Sequence, residues 1–108
     1  MSFLLTFDEA MLKQLKGEDL QIERRLQKIF KKIVVLGPRA GVLIDVQDAL
    51  YEVKQKSPPI RVYFCYDQEA GKIIIFEYEM KTSSEKQQLT INRLREKFRS
   101  RRPSQNGT

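Results

Sequence analysis

Histidine is absent from the 108 residues. That removes the side chain that titrates nearest neutral pH and the commonest metal ligand. With one cysteine, Cys65, there is neither an internal disulfide nor a thiolate cluster to replace it, so the composition speaks against a zinc site. Acid–base chemistry, if any, falls to Lys, Tyr, Glu or Asp with shifted pKa, or to charge stabilisation by Arg and Lys. A single thiol agrees with a reducing compartment, and its place in a strand-like run reads as structural rather than nucleophilic. Apolar runs such as Ile73 to Phe76 stop after a few residues, too short to span a bilayer. The N-terminus has no basic segment before its apolar residues and turns acidic at Asp8, unlike a secretory signal. A cytoplasmic protein with no membrane partner, no metal and no cofactor is expected. There is no internal repeat and no phosphate-cradling glycine loop.

Twenty basic side chains stand against 14 acidic ones, for a net charge of +6. Residues 1–80 hold twelve of each sign, whereas 81–102 hold eight basic and two acidic residues and supply the whole excess. Two readings fit such a field: attraction to a phosphate backbone or an acidic partner, or a solvated helix with a basic tail.

In chain order, Ser2 to Phe7 has the branched and aromatic content of a short strand. Asp8, or Thr6 with Glu9, can cap a helix that carries Met11, Leu12 and Leu15 and closes at Gly17. Glu18 and Asp19 open a second helix of about four turns, with Leu20, Ile22, Leu26, Ile29, Phe30 and Ile33 at three- and four-residue spacing. Its cations, Arg24, Arg25, Lys28, Lys31 and Lys32, read as a solvated face. Leu36-Gly37-Pro38 stops it. A loop follows, with a brief extended piece at Val42 to Ile44. Three strands come next, Ala49 to Lys54, Ile60 to Asp67 and Lys72 to Glu79. Ser57-Pro58-Pro59 and the glycine-closed turn Asp67 to Gly71 connect them as antiparallel neighbours. Ser83 or Ser84 caps a last helix, about Glu85 to Arg99, with a thin apolar edge of Leu89, Ile91, Leu94 and Phe98. The expected fold is α+β: an N-terminal strand, a two-helix hairpin, a three-stranded antiparallel meander joining the first strand in one sheet, and a C-terminal helix. Residues 1–99 form one domain and 100–108 a flexible polar tail.

Side chains alternate between faces along a strand. On that period one face takes Tyr51, Val53, Val62, Phe64, Tyr66, Ile74, Phe76, Tyr78 and Met80. The opposite face takes Glu52, Lys54, Arg61, Tyr63, Cys65, Ile73, Ile75, Glu77, Glu79 and Lys81, and is expected to stay open. It fits either plain contact with water or a phosphate held among bases and acids.

The order of elements and several strings resemble the RelE/ParE superfamily of bacterial toxin–antitoxin toxins, including its HigB-like branch. Phe3-Leu4-Leu5-Thr6-Phe7-Asp8-Glu9 is similar to the strand that leads into the first helix of RelE-type toxins. Leu50-Tyr51-Glu52-Val53-Lys54 followed by Ile60-Arg61-Val62-Tyr63-Phe64 resembles the family's consecutive strands, and Ile73 to Lys81 its hydrophobic strand ending in a basic residue. The resemblance spans about residues 2–98.

It implies a metal-independent, ribosome-dependent messenger-RNA endonuclease in which a ribose 2′-hydroxyl attacks the adjacent phosphate. Carried over by position, Lys54 and Arg61 contact that phosphate and Lys81 stands at the basic position after the last strand. Lys56, Lys86 and Arg93 contact the RNA. The family often has a tyrosine soon after the last strand, and Thr82 to Gln87 has none. Tyr63 is the substitute, with Glu52, Glu77 or Glu79 as proton acceptor. The implied partners are the ribosome, messenger RNA, and an antitoxin bringing an acidic or amphipathic helical segment. The missing tyrosine also fits a ParE-like inhibitor of DNA gyrase, or an inactive binding protein on the same scaffold.

Overall fold

The computed structural model describes residues 2–56, 59–80 and 83–101. Strand β1 (Leu4–Phe7) leads into helices α1 (Glu9–Lys16) and α2 (Leu20–Leu36). A 3-10 turn at Gly37–Ala40 then precedes β2 (Val42–Asp45), β3 (Leu50–Lys56), β4 (Pro59–Asp67), β5 (Lys72–Met80) and helix α3 (Ser84–Arg101). The strands form one sheet in the order β1-β5-β4-β3-β2. Neighbours β2 to β5 pair antiparallel, and β1 lies parallel to β5. The extended piece at Val42 is thus a fourth antiparallel strand. Helix α3 runs two residues into the segment read as a tail, and residues 102–108 lie outside the described residues.

The helix starts follow from their caps. The Asp8 carboxylate accepts from the Ala10 amide and that of Asp19 from the Ile22 amide, each satisfying a first-turn N–H. Gly17 ends α1 at φ −94°, so the left-handed closure expected there is not used. Gly37 does use positive φ, +61°, to end α2, and a Cβ there would collide with the ring of Phe3.

Helices α1 and α2 cover one sheet face, burying Met11, Leu26, Ile29, Phe30 and Ile33 against Val53, Ile60, Val62, Phe64, Ile73, Ile75 and Tyr78. Past Phe7 the edge of β5 has no strand partner. There the Gln14 amide takes over, donating to the Tyr78 carbonyl at 2.8 Å and accepting from its N–H at 3.1 Å.

Two expectations about the faces are corrected. Along β5 the alternation breaks: Tyr63 pairs with Glu77 but Phe64 pairs with Ile75, leaving Phe76 as the extra residue of a β-bulge. Phe76 and Glu77 therefore share a face. Ile73 and Ile75 move to the α1/α2 side, while Ile74 and Phe76 move to the other. The second correction is that the mixed face is not open. Helix α3 packs on it through Ile91, Leu94 and Phe98, against Leu50, Tyr63 and Phe76.

Candidate active site

The register of β3, β4 and β5 aligns the charged side chains in two rows. One runs Glu52, Tyr63, Glu77 and the next Lys54, Arg61, Glu79. Lys54 and Arg61 are thus directly opposed on one face, and Glu52 sits between them. Its carboxylate lies 3.7 Å from Lys54 Nζ and 3.8 Å from Arg61 Nε. Arg61 is 5% exposed and Glu52 3%. Among the described residues the Arg61 Nε has no hydrogen-bond partner. A buried N–H without an acceptor is costly in a guanidinium, which offers five donors in a fixed fork.

Helix α3 reaches these carboxylates with residues three apart, which lie on one helical face. Gln87 Nε2 donates to Glu52, Thr90 Oγ1 donates to Glu79 at 2.7 Å, and Arg93 grips Glu77 with both terminal nitrogens at 2.8 and 2.6 Å. Farther along, Arg95 Nε meets Asp45 at 2.6 Å and Lys97 Nζ meets Asp8 at 2.6 Å. Three of the eight basic residues that supplied the net charge, Arg93, Arg95 and Lys97, are therefore paired to acids elsewhere in the chain. Charge repulsion among Glu52, Glu77 and Glu79 is relieved by the same contacts.

Tyr63 is fully buried, and its hydroxyl donates to Glu79 at 2.6 Å. Burial first, then that hydrogen bond and the Glu79 charge, raise its pKa well above the usual phenol value, so it holds its proton. Burial likewise pushes the Cys65 thiol up to about 12. Hydrogen bonding to Glu77 is the main cause that raises the pKa of Arg93.

Of the residues singled out from sequence, Lys54, Arg61 and Tyr63 come together, the last two beneath α3. Lys56 is exposed at the end of β3, and Lys86 is exposed in the first turns of α3. Arg93 faces the sheet through its Glu77 pair. Lys81 lies outside the described residues. Gln87 and Thr90 were missed. The signal for them is the three-residue spacing of Gln87, Thr90 and Arg93, running beside the apolar edge of Ile91, Leu94 and Phe98.

Away from this site, Leu5, Phe7, Leu12, Leu15, Phe30, Val34 and Val35 line an apolar groove of about 620 Å³ between β1, α1 and α2, with Lys31 at its border. Among the described residues no group of three His, Cys, Asp or Glu side chains is placed to hold a metal ion. No helix among them is long and apolar enough to cross a membrane.

No protein-family model matches the sequence. No curated protein matches it either. Solved structures do. The isolated E. coli RelE toxin superposes with a TM-score of 0.65 at 22% identity, covering 86% of this chain and 99% of that one. In the intact E. coli RelBE toxin–antitoxin complex the match has a TM-score of 0.63 at 18% identity, over 76% of this chain and 100% of that one. The RelBE2 toxin–antitoxin complex from Mycobacterium tuberculosis gives a TM-score of 0.64 at 13% identity, over 75% and 100%. At such identities the likeness is one of architecture: the chain has the fold of a RelE-like toxin.

Proposed function

We propose that this chain is the cytoplasmic toxin of a toxin–antitoxin pair and cuts messenger RNA on the ribosome. The observation that carries the reading is the buried Arg61 guanidinium, beside Lys54 and with an unsatisfied Nε, on a scaffold like that of RelE toxins. Such a group fits a phosphate oxygen, which a guanidinium recognises in two-pronged fashion. Because α3 covers Arg61, RNA reaches it only when α3 lifts from the sheet. Once it does, the ribose 2′-hydroxyl attacks the adjacent phosphorus and passes its proton to Glu52. Arg61 and Lys54 stabilise the extra negative charge of the five-coordinate phosphate. With α3 lifted, Tyr63 loses the burial that holds its proton and gives it to the departing 5′-oxygen; Tyr63 regains one from solvent, Glu52 releases one to it, and a 2′,3′-cyclic phosphate remains. Lys56, Lys81, Lys86 and the freed Arg93 hold the strand. No metal enters this scheme.

The partner is an antitoxin. RelE toxins of the same fold are found in complex with RelB antitoxins. An acidic amphipathic helix suits the apolar groove between β1, α1 and α2, with its carboxylates against Lys31.

The test is cleavage of a defined transcript on programmed ribosomes. Arg61→Ala, checked for folding by circular dichroism, is expected to lose about 10²–10³-fold in rate, the scale of removing one transition-state donor. Unchanged cleavage by the folded variant rejects the site. A second reading, a gyrase inhibitor, is favoured by the carboxylates and helix that cover Arg61. Arrested replication with intact transcripts selects it.

A further inference from the structure

The sequence places all the excess positive charge at 81–102, but folding pairs four of those cations with acids. Arg93, Arg95 and Lys97 are paired to Glu77, Asp45 and Asp8, and Arg99 to Glu96 within α3. In contrast, Arg24, Arg25, Lys28, Lys31 and Lys32 on α2 are all exposed, and none has an ion-pair partner among the described residues. Arg25, Lys28 and Lys32 fall on one stripe of the helix. Gln21, Ile22, Arg24, Arg25 and Lys28 line one shallow concavity of about 330 Å³. Lys28, Ile29 and Lys32 line another, of about 230 Å³, together with Val53, Lys54 and Gln55 of β3. The two concavities share Lys28, which links the cations on the outer face of α2 to Lys54, at the border of the candidate active site.

We infer that the exposed face of α2, Arg24 to Lys32, is a track for an RNA phosphate backbone that continues into the Lys54–Arg61 site. It deepens the proposed function, on which it rests, by saying where the strand lies outside the reacting phosphate. From Arg25 to Lys32 is about 10 Å along the helix axis at 1.5 Å per residue. That matches about three phosphates at the ~3.4 Å spacing of a stacked strand. An acidic protein segment fits less well, because a docked peptide needs apolar anchors. The apolar surface on this face is limited to Ile22, Ile29 and Val53 in two small concavities, whereas the larger apolar groove of α2, at Phe30, Val34 and Val35, lies elsewhere.

The test is binding of a fluorescein-labelled 20-nucleotide oligouridylate to the full chain between 50 and 200 mM salt. The triple variant R25Q/K28Q/K32Q is expected to bind at least tenfold more weakly at 50 mM. Its log–log salt slope should fall by about 2, at about 0.7 per phosphate contact on a single strand. K13Q/K16Q/R39Q removes the same charge from other exposed positions and is expected to stay within twofold of the parent. Equal losses in both variants overturn the track in favour of diffuse attraction. A 20-residue oligoglutamate that binds as tightly as the RNA assigns the face to an acidic protein and also overturns it. The ribosome assay separates this from the function itself: a cleaving chain whose triple variant binds RNA normally sinks the track alone. A chain that never cleaves but loses RNA binding in the triple variant sinks the nuclease reading alone.

Discussion

Replacing Arg93 by alanine tests whether α3 is latched to the sheet by charge. The Arg93 side chain is 58% exposed and that of Glu77 11%, joined by two short hydrogen bonds. Breaking a fully buried pair costs about 3–5 kcal/mol, and an exposed one about 0–1 kcal/mol. With one partner buried and the other half in water, about 1–2 kcal/mol is expected, chiefly from stranding the Glu77 carboxylate. If that loss falls on detachment of α3, hydrogen exchange of the α3 amides should quicken about 5–30-fold, ahead of those in β4 and β5. The melting temperature should drop by roughly 5–10 °C, from the usual ~4–8 °C per kcal/mol for domains near this size. Arg99→Ala is the control, since its pair with Glu96 lies within α3 and both side chains are largely exposed. It should change exchange by less than twofold. R93A/E77A should recover part of the loss by removing the stranded charge. Equal behaviour of the Arg93 and Arg99 variants, or slower exchange of α3 in either, refutes the latch.

Base should destabilise the fold. Cys65 and Tyr63 keep their protons in the folded state beyond the pH at which the unfolded chain releases them, so the unfolded state binds fewer protons and stability falls as pH rises. The loss should begin near pH 9, steepen above about 10 as the unfolded tyrosine ionises, and shrink between 9 and 12 in Cys65→Ala. A urea midpoint that stays flat from pH 8 to 11 contradicts it. Gly37→Ala should cost more than about 2 kcal/mol in urea unfolding, because it adds positive-φ strain to a collision with Phe3; a variant as stable as the parent removes that account of how α2 ends.

Most elements were legible because each is signalled locally. Asp8 and Asp19 cap their helices, Gly71 closes its hairpin at φ +63°, and the apolar spacing of α2 matches the residues it buries from Leu26 on, although Leu20 at its start stays exposed. What was not legible depends on a single unpaired residue and on contacts distant in sequence. Counting by twos through β5 assigns Glu77, Tyr78 and Glu79 to their observed faces but misplaces residues 73–76, since nothing in Ile-Ile-Ile-Phe marks Phe76 as a bulge. The coverage of the mixed face was missed for a related reason. Helix α3 has only a thin apolar edge, and much of its attachment is polar, through Gln87, Thr90 and Arg93 to carboxylates on other strands. The opposition of Lys54 and Arg61 was legible because no bulge interrupts β3 and β4 between them.

The pairing of β1 with β5 has a consequence for the making of this protein. Leu4 finds its partner, Lys72, only after two thirds of the chain has been synthesised, and the capping amide of Gln14 waits for Tyr78. Long-range closure of this kind delays folding. During translation the emerging N-terminal portion therefore stays without its sheet neighbour until the last strand leaves the exit tunnel.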